Sequence, residues 1–359
     1  MDPRFLRAVE LSLAGEGKFW NSVVKDPTGR SVASAFLSLY GVDPVLFVDG
    51  VWKTRLHQVR RLLPALHRLP VLFCGSPVST GESHLRLTAG ADRREVIRAI
   101  EQTMLRIAQR HASYILVFKE FDDADPALHA ALEECGYLRV ASWPMNHLPA
   151  HFQSFDDLCS KARSKYRNQI QRSIKKFARS GLRIEHVQDG ARVEKLYTDE
   201  VHQLYLAVLA RAEVKLEKLP AAFFRQLARQ FPREIVFTTA WHADRIIGFV
   251  CSLHLGEHYF NLFCGIDYQF NERGDVYFNL LYKDGDFALR HGAKTINVGQ
   301  ASYDFKSRMG CFTRPRAFFV KIRGPGMAPM LRKLGPMLFP PPPVPPTRNL
   351  FHEGERHEE

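Results

Sequence analysis

The 359-residue sequence contains no CxxC pair, and none of its six cysteines (Cys74, Cys135, Cys159, Cys251, Cys264 and Cys311) lies at short spacing from histidines in the manner of a zinc site. Buried, reduced thiols are therefore expected, and no metal. No run of about 18 apolar residues occurs, so no segment reads as a membrane span. At the amino terminus Asp2, Arg4, Arg7 and Glu10 interrupt the apolar residues, which argues against a signal peptide and makes the cytoplasm the expected compartment. A helix-turn-helix or zinc-finger pattern is also missing, which disfavours a nucleic-acid-binding regulator.

What is present describes a folded protein of about two domains. Hydrophobic residues make up 45% and charged residues 25% of the chain, close to globular averages. Lys plus Arg number 50 against 38 for Asp plus Glu, a formal charge of +12. That excess attracts anions such as polyphosphates, tRNA or anionic lipid without choosing among them.

Periodicity gives α/β order. After an amphipathic start and a loop at Lys25 to Arg30, strands are predicted at Val32 to Leu39, Val45 to Trp52 and Leu69 to Cys74. A helix capped by Asp92 follows to His111, then a strand at Ser113 to Lys119, a short helix at Pro126 to Cys135, and a strand at Tyr137 to Leu148. Ser154 to Arg179 reads as one amphipathic helix. Its apolar stripe is Ala162, Tyr166, Ile170, Ile174 and Phe177, and eight cations lie between Lys161 and Arg179.

A strand at Leu182 to Val187, a helix from Val193 to Arg211 and another at Ala221 to Gln230 come next. Strands at Glu234 to Ala240, Arg245 to Leu255 and His258 to Ile266, joined by short turns, predict an antiparallel meander. A loop at Asn271 to Asp275 leads to a helix from Val276 to His291. A strand at Lys294 to Val298, a mostly irregular segment at Gly299 to Phe312 and a last strand at Arg316 to Ile322 complete the order. Six prolines around Val344 mark a Pro-rich tail, expected to lack regular structure in its final stretch.

Three stretches carry a family likeness: SKYRNQIQRSIKKFARSGLRIE at Ser164 to Glu185, ADRIIGFVCSLHLGEHYFNLFCGIDYQF at Ala243 to Phe270, and LRHGAKTINVGQASYDFKSRMG at Leu289 to Gly310. Taken in order, they resemble the FemAB-like and GNAT-type N-acyltransferases, with a YxxK signature at Tyr303 to Lys306. The resemblance implies two tandem GNAT-like units, each a mixed, mostly antiparallel sheet flanked by helices. On this reading residues 1–150 are a degenerate unit, 151–325 the catalytic unit and 326–359 the Pro-rich tail.

It also implies a chemistry. Acyl transfer to an amine passes through a tetrahedral oxyanion that a fixed cation stabilises, and Lys306 is the expected catalytic residue, with Tyr303 as a hydrogen-bond donor and Asp304 as a proton acceptor. The donor is expected at Asn271, Arg273, Gly274, Asp275 and Gly299, ahead of a helix whose first N–H groups suit phosphate. Only Arg273 and Gly274 of the family's phosphate loop remain, and Glu272 and Asp275 repel phosphate. Substrate contacts are expected from Lys165, Tyr166, Arg167, Asp267 and Tyr268. His254 and His258 are weaker base candidates, and Glu213, Lys215 and Glu217 weaker acceptor contacts.

An acyl-CoA thioester is the first donor expected. Aminoacyl-tRNA is the alternative, and a noncatalytic binding protein on the same scaffold is the alternative of another class. The partner is expected to be an amine-bearing small molecule or peptide, with tRNA and a membrane surface as further candidates.

Overall fold

The computed structural model describes residues 2–43, 55, 58, 68–122, 124–212, 218–342, 344–346 and 348–351. The chain divides into two compact units. The first comprises 1–143, 214–219 and 315–343, and the second 144–213, 220–314 and 344–359.

The first unit begins with α1 (Pro3–Leu13), β1 (Gly17–Lys25) and β2 (Ser31–Val42). Then come β3 (Leu69–Cys74), β4 (Leu85–Leu87), α2 (Arg93–Arg110), β5 (Ile115–Phe121), α3 (Pro126–Glu134) and β6 (Leu138–Leu148), which continues into the second unit. β1 pairs antiparallel with β2 and β2 with β3, while β3 and β5 run parallel. A parallel pair needs a crossover, and α2 supplies it. Asp92 caps that helix by accepting from the Arg94 and Glu95 N–H groups at 2.8 and 3.1 Å. Val96, Ile97, Ile100 and Met104 of α2 are buried in the same cluster as Leu72, Leu116 and Phe118 of the strands.

The second unit carries α4 (Phe155–Lys161), α5 (Ser164–Ala178), β7 (Arg183–Val187), α6 (Gly190–Leu196), α7 (Asp199–Arg211) and α8 (Ala221–Gln230). The meander β8 (Ile235–His242), β9 (Arg245–Leu255) and β10 (His258–Ile266) follows, then α9 (Tyr268–Gly274), α10 (Val276–Arg290), β11 (Thr295–Asn297) and α11 (Tyr303–Arg308). β7, β8, β9 and β10 pair antiparallel in sequence, β10 and β11 pair parallel, and the end of β6 pairs antiparallel with β11. Leu280, Leu281, Phe287 and Ala288 of α10 are buried with Val236, Val250 and Tyr259 of the sheet. Tyr197, Phe223, Phe224, Phe237 and Phe249 form an aromatic cluster with ring centroids 4.5–6.4 Å apart.

β12 (Phe312–Ile322) then returns to pair antiparallel with β5, and α12 (Met327–Leu338) follows it.

Several expectations are corrected. Residues 17–25 form the strand β1, whose alternation of half-buried and exposed positions leaves little apolar signal. The basic segment is two helices, broken where extended Ala162 bridges Phe351 and Arg163 N–H donates to Leu350 O at 2.9 Å. Of its apolar stripe, Ala162 and Ile170 are buried and Ile174 is exposed. The helix predicted from Val193 is likewise two, because Tyr197 turns into the aromatic cluster and Thr198 caps a new start.

The stretch Asn271 to Gly274 is the end of a helix, and Tyr303 to Arg308 is a short helix inside the segment read as irregular. Part of the expected tail is ordered, as α12 and as the buried Leu350 and Phe351. The strand predicted at Val45 to Trp52 lies outside the described residues.

Gly265 sets how closely α7 lies on β10. A Cβ there would fall 2.4 Å from the Phe249 ring, 2.6 Å from Tyr205 N and 2.7 Å from Leu204 C. Gly265→Ala is expected to destabilise the protein by about 2 kcal/mol or more through overpacking. Gly15→Ala, with open space around it, is expected to be nearly neutral. Chemical denaturation of the two variants checks the difference.

Candidate active site

β10 and β11 stay together for three pairs only: His258 with Thr295, Tyr259 with Ile296, and Phe260 with Asn297. Beyond that point β10 continues to Ile266 against β9, with an irregularity in register between Asn261 and Phe263. The chain leaving β11 is drawn to β6 instead. Val298 N–H donates to Asn146 O at 2.9 Å, and Gly299 O accepts from Asn146 N at 3.2 Å and Nδ2 at 2.8 Å.

A cavity of about 360 Å³ occupies the gap. β10 contributes Asn261 to Cys264, the segment after β11 contributes Val298 to Ser302, and Tyr205 of α7, Tyr277 of α10 and Lys306 of α11 complete much of the wall. Ala301 and Ser302 both adopt left-handed backbone, at φ 65° and 51°. Two consecutive non-glycine residues in that region cost on the order of 1 kcal/mol each or more, a strain that tends to gather at functional sites.

Lys306 is 4% exposed. Its Nζ donates to Gln300 O at 2.9 Å and Gly299 O at 3.3 Å, and it forms no ion pair with the described residues. An ammonium has three donors, so one remains for the cavity. Burial lowers its pKa to about 8, and the thiols of Cys311 and Cys264 lie beside it. Those thiols are themselves pushed up by burial, to about 12 and about 11.

The other expected catalytic residues are not in the cavity wall. The Tyr303 hydroxyl donates to Pro144 O at 2.8 Å, and burial raises its pKa to about 12. Asp304 is paired with Arg308 and Arg348. The motif lies on a helix, so its members point different ways and only Lys306 lines the cavity.

Of the expected donor contacts, Gly299 and Asn271 line the cavity. Asn271 Oδ1 is occupied, accepting from Tyr277 N–H at 2.9 Å. Arg273 is exposed, Gly274 packs against Leu182 and Ser180, and left-handed Asp275 pairs with Lys176 at 2.7 Å. These five positions therefore do not form an open phosphate cradle.

Of the expected substrate contacts, only Tyr268 lines the cavity, with the Arg211 guanidinium 3.5 Å from its ring centroid. Asp267 caps α9 and pairs with Arg245. Lys165 is exposed, Tyr166 packs on the core, and Arg167 lines a separate hollow beside α4 and α5. His254 and His258 lie outside the cavity wall, the latter 2.7 Å from Thr295 Oγ1. Glu213, Lys215 and Glu217 lie outside the described residues. Among the described residues no cluster of histidine, cysteine and acidic side chains could hold a metal, and no helix is long and apolar enough to cross a membrane.

Sequence reasoning missed Asn261, Cys264, Tyr277 and a buried carboxylate behind them. Asp284 of α10 is 1% exposed. It accepts from Tyr259 OH at 2.8 Å, Thr238 Oγ1 at 2.9 Å, Ser252 Oγ at 3.0 Å and Asn261 Nδ2 at 3.1 Å. Its signal was one acid on an otherwise apolar helix face, between Leu281 and Phe287.

The family model for FemAB-like proteins, described as peptidoglycan biosynthesis/recognition, matches residues 66–333. The chain belongs to the FemAB-like family. Among solved structures, that of FemX is similar with a TM-score of 0.56 and 11% identity, covering 92% of this chain and 93% of that one. A tandem GNAT protein from the clavulanic acid biosynthesis pathway aligns with a TM-score of 0.53 and 14% identity, covering 91% and 89%. The structure of L-PGS from Bacillus licheniformis gives 0.51 and 12%, covering 94% and 97%. No curated protein matches the sequence. These likenesses establish the fold of this FemAB-like chain as two GNAT-like units and bear out the expected α/β class. The cavity lies where the two central parallel strands of the second unit part.

Burial raises the pKa of Asp284 to about 6, and its four hydrogen bonds limit the rise. Because the folded value exceeds the unfolded one, the native state holds the proton more tightly between about pH 4 and 6, and stability falls as pH rises through that window. Asp284→Asn is expected to remove up to about 3 kcal/mol of that fall. Urea unfolding of both proteins across pH 4 to 7 measures it.

Proposed function

We propose that this protein is an N-acyltransferase that moves an aminoacyl group from its ester on tRNA to an amine by direct attack. The observation that carries the reading is Lys306, a buried ammonium without a carboxylate partner in the gap between the parting strands. The attacking amine forms a bond to the ester carbonyl carbon, and the carbonyl oxygen becomes an oxyanion. The free donor of Lys306 stabilises that charge more than it stabilises the ground-state carbonyl, which lowers the barrier. Collapse breaks the bond to the ribose oxygen, which takes a proton released by the amine. No covalent intermediate with the protein is required.

The stretch from Asn271 to Asp275 supports aminoacyl-tRNA over acyl-CoA. A coenzyme A pyrophosphate needs free N–H groups at the start of α10. There the Tyr277 N–H is taken by Asn271, and the Asp275 carboxylate stands at the helix start. An aminoacyl ester places only its aminoacyl end and terminal ribose in such a cavity, leaving the tRNA backbone to surface cations. Arg172 and Lys175 on α5 and Arg179 just after it are exposed and form no ion pair among the described residues. Family membership also supports this donor, since the matching model is described by peptidoglycan biosynthesis.

Transfer from radiolabelled alanyl-tRNA and acetyl-CoA to a panel of amines tests the reading. Transfer is expected from the tRNA ester. Lys306→Ala is expected to lower kcat about 100-fold or more with little change in KM. An unchanged kcat in the variant would remove Lys306 from the mechanism, and transfer from acetyl-CoA alone would remove the tRNA donor.

A further inference from the structure

The buried carboxylate of Asp284 is the least explained group in the second unit. It sits among four neutral donors with no cation beside it among the described residues. An unbalanced buried anion is costly, and hydrophobic residues of similar size would pack there without that cost. Thr238, Ser252 and Tyr259 hold it from within the core. Asn261 is the one donor of the four that also lines the cavity.

That contact fixes how the Asn261 carboxamide faces. An ionised carboxylate can only accept hydrogen bonds, so the Asn261 NH2 group must turn toward Asp284 and its Oδ1 must turn elsewhere. Oδ1 has no donor among the described residues. Asn261 and Lys306 both line the cavity, so its wall holds an amide backed by a buried negative charge as well as a cation. A molecule that matches both has an ammonium and a carbonyl oxygen a few bonds apart, as an α-amino ester has.

We propose that Asn261 Oδ1, held in place by Asp284, binds the free α-ammonium of the acyl group being transferred, so that the cavity selects aminoacyl groups over acyl groups without that charge. This rests on the aminoacyl-transfer reading above and names the chemical feature by which the donor is chosen. Asn261 is a specificity residue and Asp284 a positioning residue. Lys306 contacts the carbonyl at the other end of the same group.

The test compares retention of alanyl-tRNA, N-acetylalanyl-tRNA and deacylated tRNA by the full-length protein in filter binding, alongside transfer rates for the two esters. The parent protein is expected to hold alanyl-tRNA about 10-fold tighter than N-acetylalanyl-tRNA, the lower end for a hydrogen bond to a charged group. Asn261→Ala is expected to bring that ratio close to one without changing retention of deacylated tRNA. Thr238→Val removes a donor from Asp284 on the core side and is expected to preserve the ratio, which separates recognition from loss of packing. Equal retention and equal transfer of the two esters by the parent would overturn the inference and leave the transferase reading standing. Loss of the ratio in Thr238→Val as well as in Asn261→Ala would overturn it as a merely structural effect. No retention of any tRNA and no transfer would overturn both.

Discussion

Two parallel strands that pair for three residues and then part create the site on which the rest of the second unit depends. Backbone groups that leave a ladder must find other partners, because buried N–H and C=O groups are rarely left unpaired. On the β11 side the partner is Asn146, which receives the chain through both its backbone and its side chain. On the β10 side the register is irregular just after Asn261, and Asn261 to Cys264 line the gap. The carbonyls of Gly299 and Gln300, released by the same parting, hold the Lys306 ammonium. One separation of strands therefore makes the space, strains its floor at Ala301 and Ser302, and fixes the cation in it.

The second unit also buries two charges of opposite sign without pairing them together. Lys306 is compensated by carbonyl dipoles and Asp284 by hydroxyls and an amide. Direct pairing would have quenched both fields. Held apart by neutral groups, each keeps its field available to a bound molecule, and the energetic cost is met by the large aromatic and aliphatic core around them.

Much of this was legible in the sequence. Strands β3, β9 and β10 and helices α2 and α8 lie where period and turn chemistry put them, because apolar faces and caps are local signals. Lys306, singled out in the YxxK stretch, does line the cavity. That Tyr303 and Asp304 do not share the cavity wall with Lys306 was not legible, since a four-residue motif does not reveal whether it is wound as a helix, and winding sends its members in different directions. The breaks at Ala162 and Tyr197 were hidden for another reason. Each is imposed by a distant partner, Phe351 in one case and the aromatic cluster in the other. Asp284 and Asn261 needed the sheet itself, as 22 intervening residues separate them in the chain.

The pairing of Ala162 with Phe351 bears on the order in which the protein can be finished. The first unit lacks β12 until residue 322 has been made, and the start of the basic helix α5 lacks its Leu350 partner until residue 350 has been made. Each unit is thus completed by a contact from far along the chain, β12 in one case and residues 350 and 351 in the other.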